Sequence, residues 1–203
     1  MMSTQHFTTL ITDIAELDTE LLSFSIDEQF CRENQIRLKS YKLFVHAVLE
    51  NYFEQIALDL LSFALTEWKS SGKVNHVLMN LIAYAPISYS GNKKIDINER
   101  IRSITDDFRG KIRKNNGIKE ESICKLFIPL GYKYSDFDSA WLATLDSYGK
   151  SRGHIAHKPI SIQRPLEIHN EKQTVRIIVT GSNDIDDKYQ AIIANINHPF
   201  LIS

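Results

Sequence analysis

Apolar residues recur at helical spacing along most of this chain, and residues 33–68 carry the strongest pattern. Neither glycine nor proline interrupts that segment, and Gly72 follows it as a stop signal for the helix. At about 1.5 Å per residue such a helix reaches roughly 50 Å, long enough to form the centre of a bundle. Its apolar positions are Leu38, Tyr41, Val45, Val48, Leu49, Tyr52, Phe53, Ile56, Leu60, Leu61, Ala64 and Trp68.

Shorter helical patterns lie on both sides of this long segment. Proline, glycine and asparagine mark the breaks between them, which include a loop over residues 85–94 and the turn Asn115-Asn116-Gly117. The predicted shorter helices span residues 4–24, 74–84, 96–114, 119–128, 136 to 150 or beyond, and 184–197.

The pattern changes towards the C-terminus. Val175, Ile177 and Val179 alternate along the chain as in a strand, so we expect a small β-hairpin in an extended insert over residues 160–180. Helical patterns dominate elsewhere. The sequence therefore predicts an all-α helical bundle with a long central helix and this small hairpin, in one domain over residues 1–203.

The composition, 43% hydrophobic and 24% charged over 203 residues, is typical of an ordinary globular protein with a proper core. No apolar run approaches the roughly 18 residues of a membrane span, and the N-terminus lacks the basic and apolar regions of a secretory signal. Cys31 and Cys124 form neither a zinc-binding spacing nor a disulfide framework. We therefore expect a cytoplasmic protein with reduced thiols that needs no membrane, metal or cofactor.

The net charge of −1 hides an uneven distribution along the chain. Residues 1–31 hold six acidic residues and no lysine or arginine, whereas residues 93–119 hold nine basic and four acidic residues. Residues 148–164 hold four basic residues and no acid. The two basic segments favour a polyanion such as RNA, because lysine and arginine release counterions from its phosphates. For residues 93–119 the alternative is a solvated helix face.

Arg152 and His157, in the acid-free segment, are the best candidates for chemistry. An imidazole can take a proton from a 2′-hydroxyl, or give one to a leaving oxygen, near neutral pH. A guanidinium can hold two phosphate oxygens and stabilise the charge of a pentacoordinate phosphorus. On a regular helix the two side chains stand about 140° apart. They would converge only if the helix is distorted near Gly153, or if a second subunit completes the site.

These residues resemble the Arg-x4–6-His motif of the HEPN superfamily, and in detail the chain is similar to HEPN domains of the RiboL-PSP type. The likeness extends over roughly residues 33–158. The stretches that carry it are residues 37–54, 116–119 with 126–131, 141–149 and 152–157.

The resemblance implies a helical domain that dimerises, with the motifs of two protomers facing each other. Members that cleave RNA do so without metal, by attack of the neighbouring 2′-hydroxyl, and leave a 2′,3′-cyclic phosphate. Carried onto this chain, His157 would be the general base or acid and Arg152 the phosphate clamp. Many members have a polar residue directly after the arginine, where this chain has Gly153, and His154 would supply that function. Glu50 on the long helix would face the motif.

The resemblance also implies a bacterial toxin or phage-defence setting. The expected partners are RNA, a second copy of the chain, and an antitoxin or another defence-system protein. A non-catalytic module that binds RNA or protein is the alternative function, and a helical scaffold is a third.

Simpler interpretations of single residues stay open. His157 could cap a helix C-terminus, Arg152 could be a plain surface charge, and Glu50 could lie on a solvated helix face. The glycines and serine at 149–153 match a hydrolase motif but lack the strand that it needs before the serine. A zinc site at His154 and His157 would lack further ligands in that segment.

Overall fold

A computed structural model describes residues 3–86, 96–159 and 162–196 of the chain. Within these ranges the backbone forms seven α-helices and no strand, so the predicted all-α class is confirmed. None of these helices combines the length and apolar character that crossing a membrane requires. The predicted loop over 85–94 lies largely outside the described ranges. The helices are α1 (Gln5–Leu21), α2 (Arg32–Ser71), α3 (His76–Tyr84), α4 (Ile97–Arg113), α5 (Glu120–Phe127), α6 (Ser139–His157) and α7 (Ile168–Asn195).

The long helix α2 is the element against which the other helices pack. It has 40 residues and is therefore about 60 Å long. The Sγ of Cys31 caps its first turn by accepting a hydrogen bond from the backbone N–H of Asn34 at 3.5 Å. Gly72 ends it with a left-handed φ of 69°, a conformation that glycine adopts most easily. The predicted central helix is thus confirmed, and it is slightly longer than its apolar pattern.

Helix α7 lies alongside α2 and runs in the same direction. Lys42 and Glu171 form a buried ion pair at 2.9 Å, and further along the Tyr52 hydroxyl donates to the Ser182 carbonyl at 3.2 Å. Lys42 also lies over the ring of Tyr148, with its Nζ 4.7 Å from the centroid. These contacts fix the register of α7 on α2, because a shift would leave a buried charge without its partner.

Helix α6 packs on α2 in the opposite direction. Trp141, near its start, meets Phe53 edge-on with ring centroids 6.1 Å apart, and the Tyr148 hydroxyl donates to the Lys42 carbonyl at 3.3 Å. The indole N–H of Trp141 donates to the Ile178 carbonyl of α7 at 2.9 Å. Contacts with two other helices therefore set the position of α6, and with it the motif residues near its C-terminal end.

The hairpin predicted for residues 160–180 is wrong. The first two residues of that range lie outside the described part of the chain, but from Ile168 onward the backbone is the helix α7. Val175 and Ile178 are buried whereas Ile177 is 46% exposed, which is the spacing of a helix face and not the alternation of a strand. Burial against α2 and α6 outweighs the β-propensity of these valine and isoleucine residues.

Candidate functional site

The motif residues lie in the last turns of α6, which stays helical through Gly153 to His157. Because each helical residue turns the chain by about 100°, Arg152 and His157 point about 140° apart. His154 and His157 are exposed, whereas Arg152 is partly buried. The distortion that would bring Arg152 and His157 onto one face of the helix is therefore not seen within one copy of the chain.

The guanidinium of Arg152 forms no ion pair with any of the described residues. Its Nε is buried and has no hydrogen-bond partner among the described residues. No carboxylate of residues 3–86, 96–159 or 162–196 lies within ion-pair distance of it. A buried donor without a partner costs about 1–3 kcal/mol. The arrangement therefore favours the binding of a hydrogen-bond acceptor that does not belong to the chain.

Two ionisable residues of α2, His46 and Glu50, lie close enough to Arg152 to respond to its charge. His46 is 2% exposed, and its Nδ1 lies 3.8 Å from a carboxylate oxygen of Glu50, too far for a hydrogen bond. The pKa of His46 is lowered from 6.5 to about 4, first by burial and then by the positive charges of Arg152 and Lys119. The imidazole is therefore neutral at neutral pH and adds no positive charge beside the arginine.

Burial also raises the pKa of Glu50, against the lowering effect of the backbone N–H of Gly117. The charge of Glu54 raises this pKa further, and the charge of Arg152 lowers it. Gly117 has a φ of 132°, which favours glycine, and the side chain of Asn115 donates to Glu54 at 3.0 Å. The turn after α4 thus covers this polar part of α2 and encloses the carboxylate of Glu50 near the motif arginine.

Lys119, the residue before α5, lies across α6 at Gly149. A Cβ built on Gly149 would stand 3.1 Å from the Cγ of Lys119. The backbone N–H of Glu120 donates to a carboxylate oxygen of Asp146 at 3.0 Å, so a residue of α6 caps the start of α5. A second cation is therefore held against α6 one helical turn before Arg152.

Gln163 caps the C-terminal end of α6. Its Nε2 donates to the carbonyl of Ile155 at 2.9 Å and to the carbonyl of Lys158 at 2.6 Å. Carbonyls at a helix end otherwise lack intrahelical partners. The side chain of His157 is therefore not needed to cap this helix end.

Sequence reasoning assigned no separate role to His46, Lys119 or Gln163. His46 has one usable signal, because it lies four residues before Glu50 on the same helix face. Lys119 has no local signal, since it becomes a neighbour of Gly149 only through the fold. Gln163 contacts carbonyls only five and eight residues earlier in the chain.

A family model for the RiboL-PSP-HEPN domain matches residues 11–191 of the chain. The chain belongs to this family. The match includes the central helix and α6, and it confirms the resemblance seen in the sequence. A HEPN-type nuclease or RNA-binding role follows at the level of the superfamily, whose domains often dimerise. No curated protein and no solved structure gave a significant match.

Proposed function

We propose that this HEPN protein is a metal-independent RNA endonuclease whose active site forms between two copies of the chain. The observation that carries the proposal is the charge of Arg152, which is partly buried, has an unpartnered Nε and faces no neutralising carboxylate among the described residues. A guanidinium without a carboxylate partner can donate hydrogen bonds to two oxygen atoms of an oxyanion. Within the functional class of the family, that oxyanion is an RNA phosphate.

The proposed reaction is a transesterification. The 2′-hydroxyl beside the scissile phosphate gives its proton to one His157 as general base, and its oxygen attacks the phosphorus. Arg152 stabilises the extra negative charge of the pentacoordinate intermediate. The bond from phosphorus to the 5′-oxygen then breaks, and the same His157, now protonated, gives that oxygen its proton. The products are a 2′,3′-cyclic phosphate and a 5′-hydroxyl.

The regular geometry of α6 supports a site shared by two copies. Since Arg152 and His157 diverge by about 140° on one helix, the arginine of one copy and the histidine of the other would act on the same phosphate. His154 is exposed in the same turn as His157, and we propose it as the polar group that Gly153 does not provide. Glu50 would act through the electrostatic effect that its carboxylate and the Arg152 guanidinium have on each other.

The test is cleavage of a mixed RNA pool in EDTA by wild type and by His157→Ala, with the 3′ ends analysed. We expect cyclic phosphate ends from wild type and a loss of at least about 100-fold in rate for the variant, because general acid–base catalysis contributes about that much. His76→Ala is the matched control, since His76 is exposed and lies at the start of α3. Equal cleavage by a clean His157→Ala preparation would contradict the proposal.

A non-catalytic RNA- or protein-binding module is the second candidate. Gly153 favours it, because many members of the family carry a polar residue there and a Cβ at this position would meet nothing within 4 Å. Salt-sensitive RNA binding by wild type without any cleaved product would identify this function.

We extend the proposal to a toxin or phage-defence setting with a neutralising partner protein. A ribonuclease that acts on cellular RNA stops growth unless it is restrained. Expression of wild type should therefore arrest a bacterial host, whereas expression of His157→Ala should not. Arrest by both proteins would separate toxicity from the proposed site.

A further inference from the structure

The stem of Lys119 occupies the space that a side chain at position 149 would take. A Cβ on Gly149 would stand 3.1 Å from the Cγ, 3.9 Å from the Cδ and 3.5 Å from the Cε of Lys119. Gly149 lies inside α6, where glycine is about 1 kcal/mol less favourable than alanine. A Cβ at 3.1 Å is closer than an ordinary van der Waals contact, so alanine at this position would displace the lysine stem by a few tenths of an ångström.

The backbone on both sides of Lys119 is anchored. Ile118 is fully buried, and the backbone N–H of Glu120 is held by Asp146 at 3.0 Å. Gly117 makes the turn that precedes them with a φ of 132°. The start of the Lys119 side chain is thus fixed, and its stem lies against α6 at Gly149.

The charge of Lys119 is as free as that of Arg152. No carboxylate in the described ranges lies within 4 Å of its Nζ, and the nearby Glu121 is already paired with Lys125. Lys119 and Arg152 both act on the buried imidazole of His46. Two cations from different elements, neither of them in an ion pair with a described residue, therefore lie near His46.

We propose that Lys119 is a second phosphate-binding residue of the Arg152 site, and that Gly149 is the position that lets it lie there. The inference rests on the proposed function and deepens it. Arg152 would hold the scissile phosphate of an RNA strand, and Lys119 a neighbouring phosphate of the same strand. Lysine suits this task as a point charge, whereas the guanidinium suits two-oxygen contacts.

The experiment measures the affinity of a single-stranded RNA at several salt concentrations in the His157→Ala protein, so that cleavage does not interfere. Lys119→Gln should weaken binding several-fold and reduce the slope of log K against log salt by about 0.7, the value for one phosphate contact with a single strand. Lys119→Arg should keep both the affinity and the slope. Lys125→Gln is the matched control, because it removes the same charge from an exposed site on α5, and it should change neither quantity.

Gly149→Ala tests how Lys119 is positioned. We expect it to weaken RNA binding without lowering the melting temperature, because alanine favours the helix but displaces the lysine stem. In a protein that already carries Lys119→Gln, Gly149→Ala should cost no further affinity. A further loss there would overturn the positioning role of Gly149.

Two outcomes separate this inference from the proposed function. If the His157→Ala protein binds RNA and Lys119→Gln behaves like Lys125→Gln, the second phosphate site is overturned and the ribonuclease proposal stands. If the His157→Ala protein binds no RNA even at low salt, both are overturned.

Discussion

At the scale of single residues, the site contains two buried nitrogen atoms, His46 Nδ1 and Arg152 Nε, that have no hydrogen-bond partner in the part of the chain that the structure describes. Folded proteins pair the large majority of such atoms, because an unpaired one costs about 1–3 kcal/mol. Burial keeps His46 neutral with a pKa of about 4. The imidazole therefore adds no positive charge next to the Arg152 guanidinium. The surroundings of Arg152 therefore favour the binding of an anion. The two unpaired nitrogen atoms lower the stability of the folded protein.

We expect the free energy of unfolding to fall by up to about 3 kcal/mol between pH 7 and pH 4 because of His46. In the unfolded chain an imidazole takes up its proton near pH 6.5, whereas folded His46 takes it up only near pH 4. The unfolded state thus binds more protons in this window, and stability is lost as the pH falls through it. Urea unfolding at stepped pH values measures the effect.

His46→Gln is the control for this prediction, and it should show a shallower fall in stability over the same window. Glu50 works in the opposite direction, because its raised pKa makes folding take up a proton as the pH falls towards that pKa. Since Glu50 is present in both proteins, the difference between them isolates His46. An equally steep fall in His46→Gln would show that the imidazole is not the responsible group.

At the scale of elements, helix α6 connects the core to the site. One glycine of α6 and one glycine of the neighbouring α7 lie in very different surroundings. A Cβ on Gly181 of α7 would stand 2.2 Å from the indole ring of Trp141, so this glycine allows the close approach of α6 and α7. A Cβ on Gly153 would meet nothing within 4 Å. The same substitution should therefore have opposite effects at the two positions.

Gly153→Ala should raise the free energy of unfolding by up to about 1 kcal/mol, since alanine is the better helix former and has room. Gly181→Ala should lower it by about 1–3 kcal/mol, because the added methyl group collides with a packed ring. Urea unfolding of both variants with the same slope compares them directly. Destabilisation by Gly153→Ala would mean that another surface covers the C-terminal end of α6.

At the scale of the whole molecule, the regular geometry of α6 bears on how two copies of the chain would associate. The arginine and the histidine of one copy diverge, so the proposed catalytic site with both residues would need two copies of the chain. In a twofold dimer each copy would contribute to two equivalent sites. Under the proposed function, RNA cleavage would therefore depend on dimerisation.

Mixing two inactive variants tests this arrangement. Dimers of Arg152→Ala alone or of His157→Ala alone should not cleave RNA. After subunit exchange about half of the dimers are mixed and each has one intact site of two, so about a quarter of the wild-type rate should return. No recovery from a preparation shown to have exchanged would place both residues of a site in the same copy, and a strict monomer by light scattering would exclude the shared site.

The helical part of this fold can be predicted from the sequence because the apolar pattern is strong where burial is continuous. Residues 33–68 carry apolar side chains on nearly every turn, and Gly72 gives an unambiguous end, so α2 was predicted almost to its bounds. The same reasoning failed at Val175, Ile177 and Val179. Their alternation is typical of a strand, but contacts of Val175 and Ile178 with the core stabilise a helix instead.

The candidate site divides in the same way. The sequence by itself determined the family likeness, the all-α class and the choice of Arg152 and His157, because residue type and order carry those properties. Only the tertiary structure decided that Arg152 has no carboxylate partner among the described residues, that His46 and Glu50 lie beside it, and that the stem of Lys119 covers Gly149. These are distances between residues of α2, the α4–α5 turn and α6, and they come to exist only when burial of the apolar faces brings separate helices together.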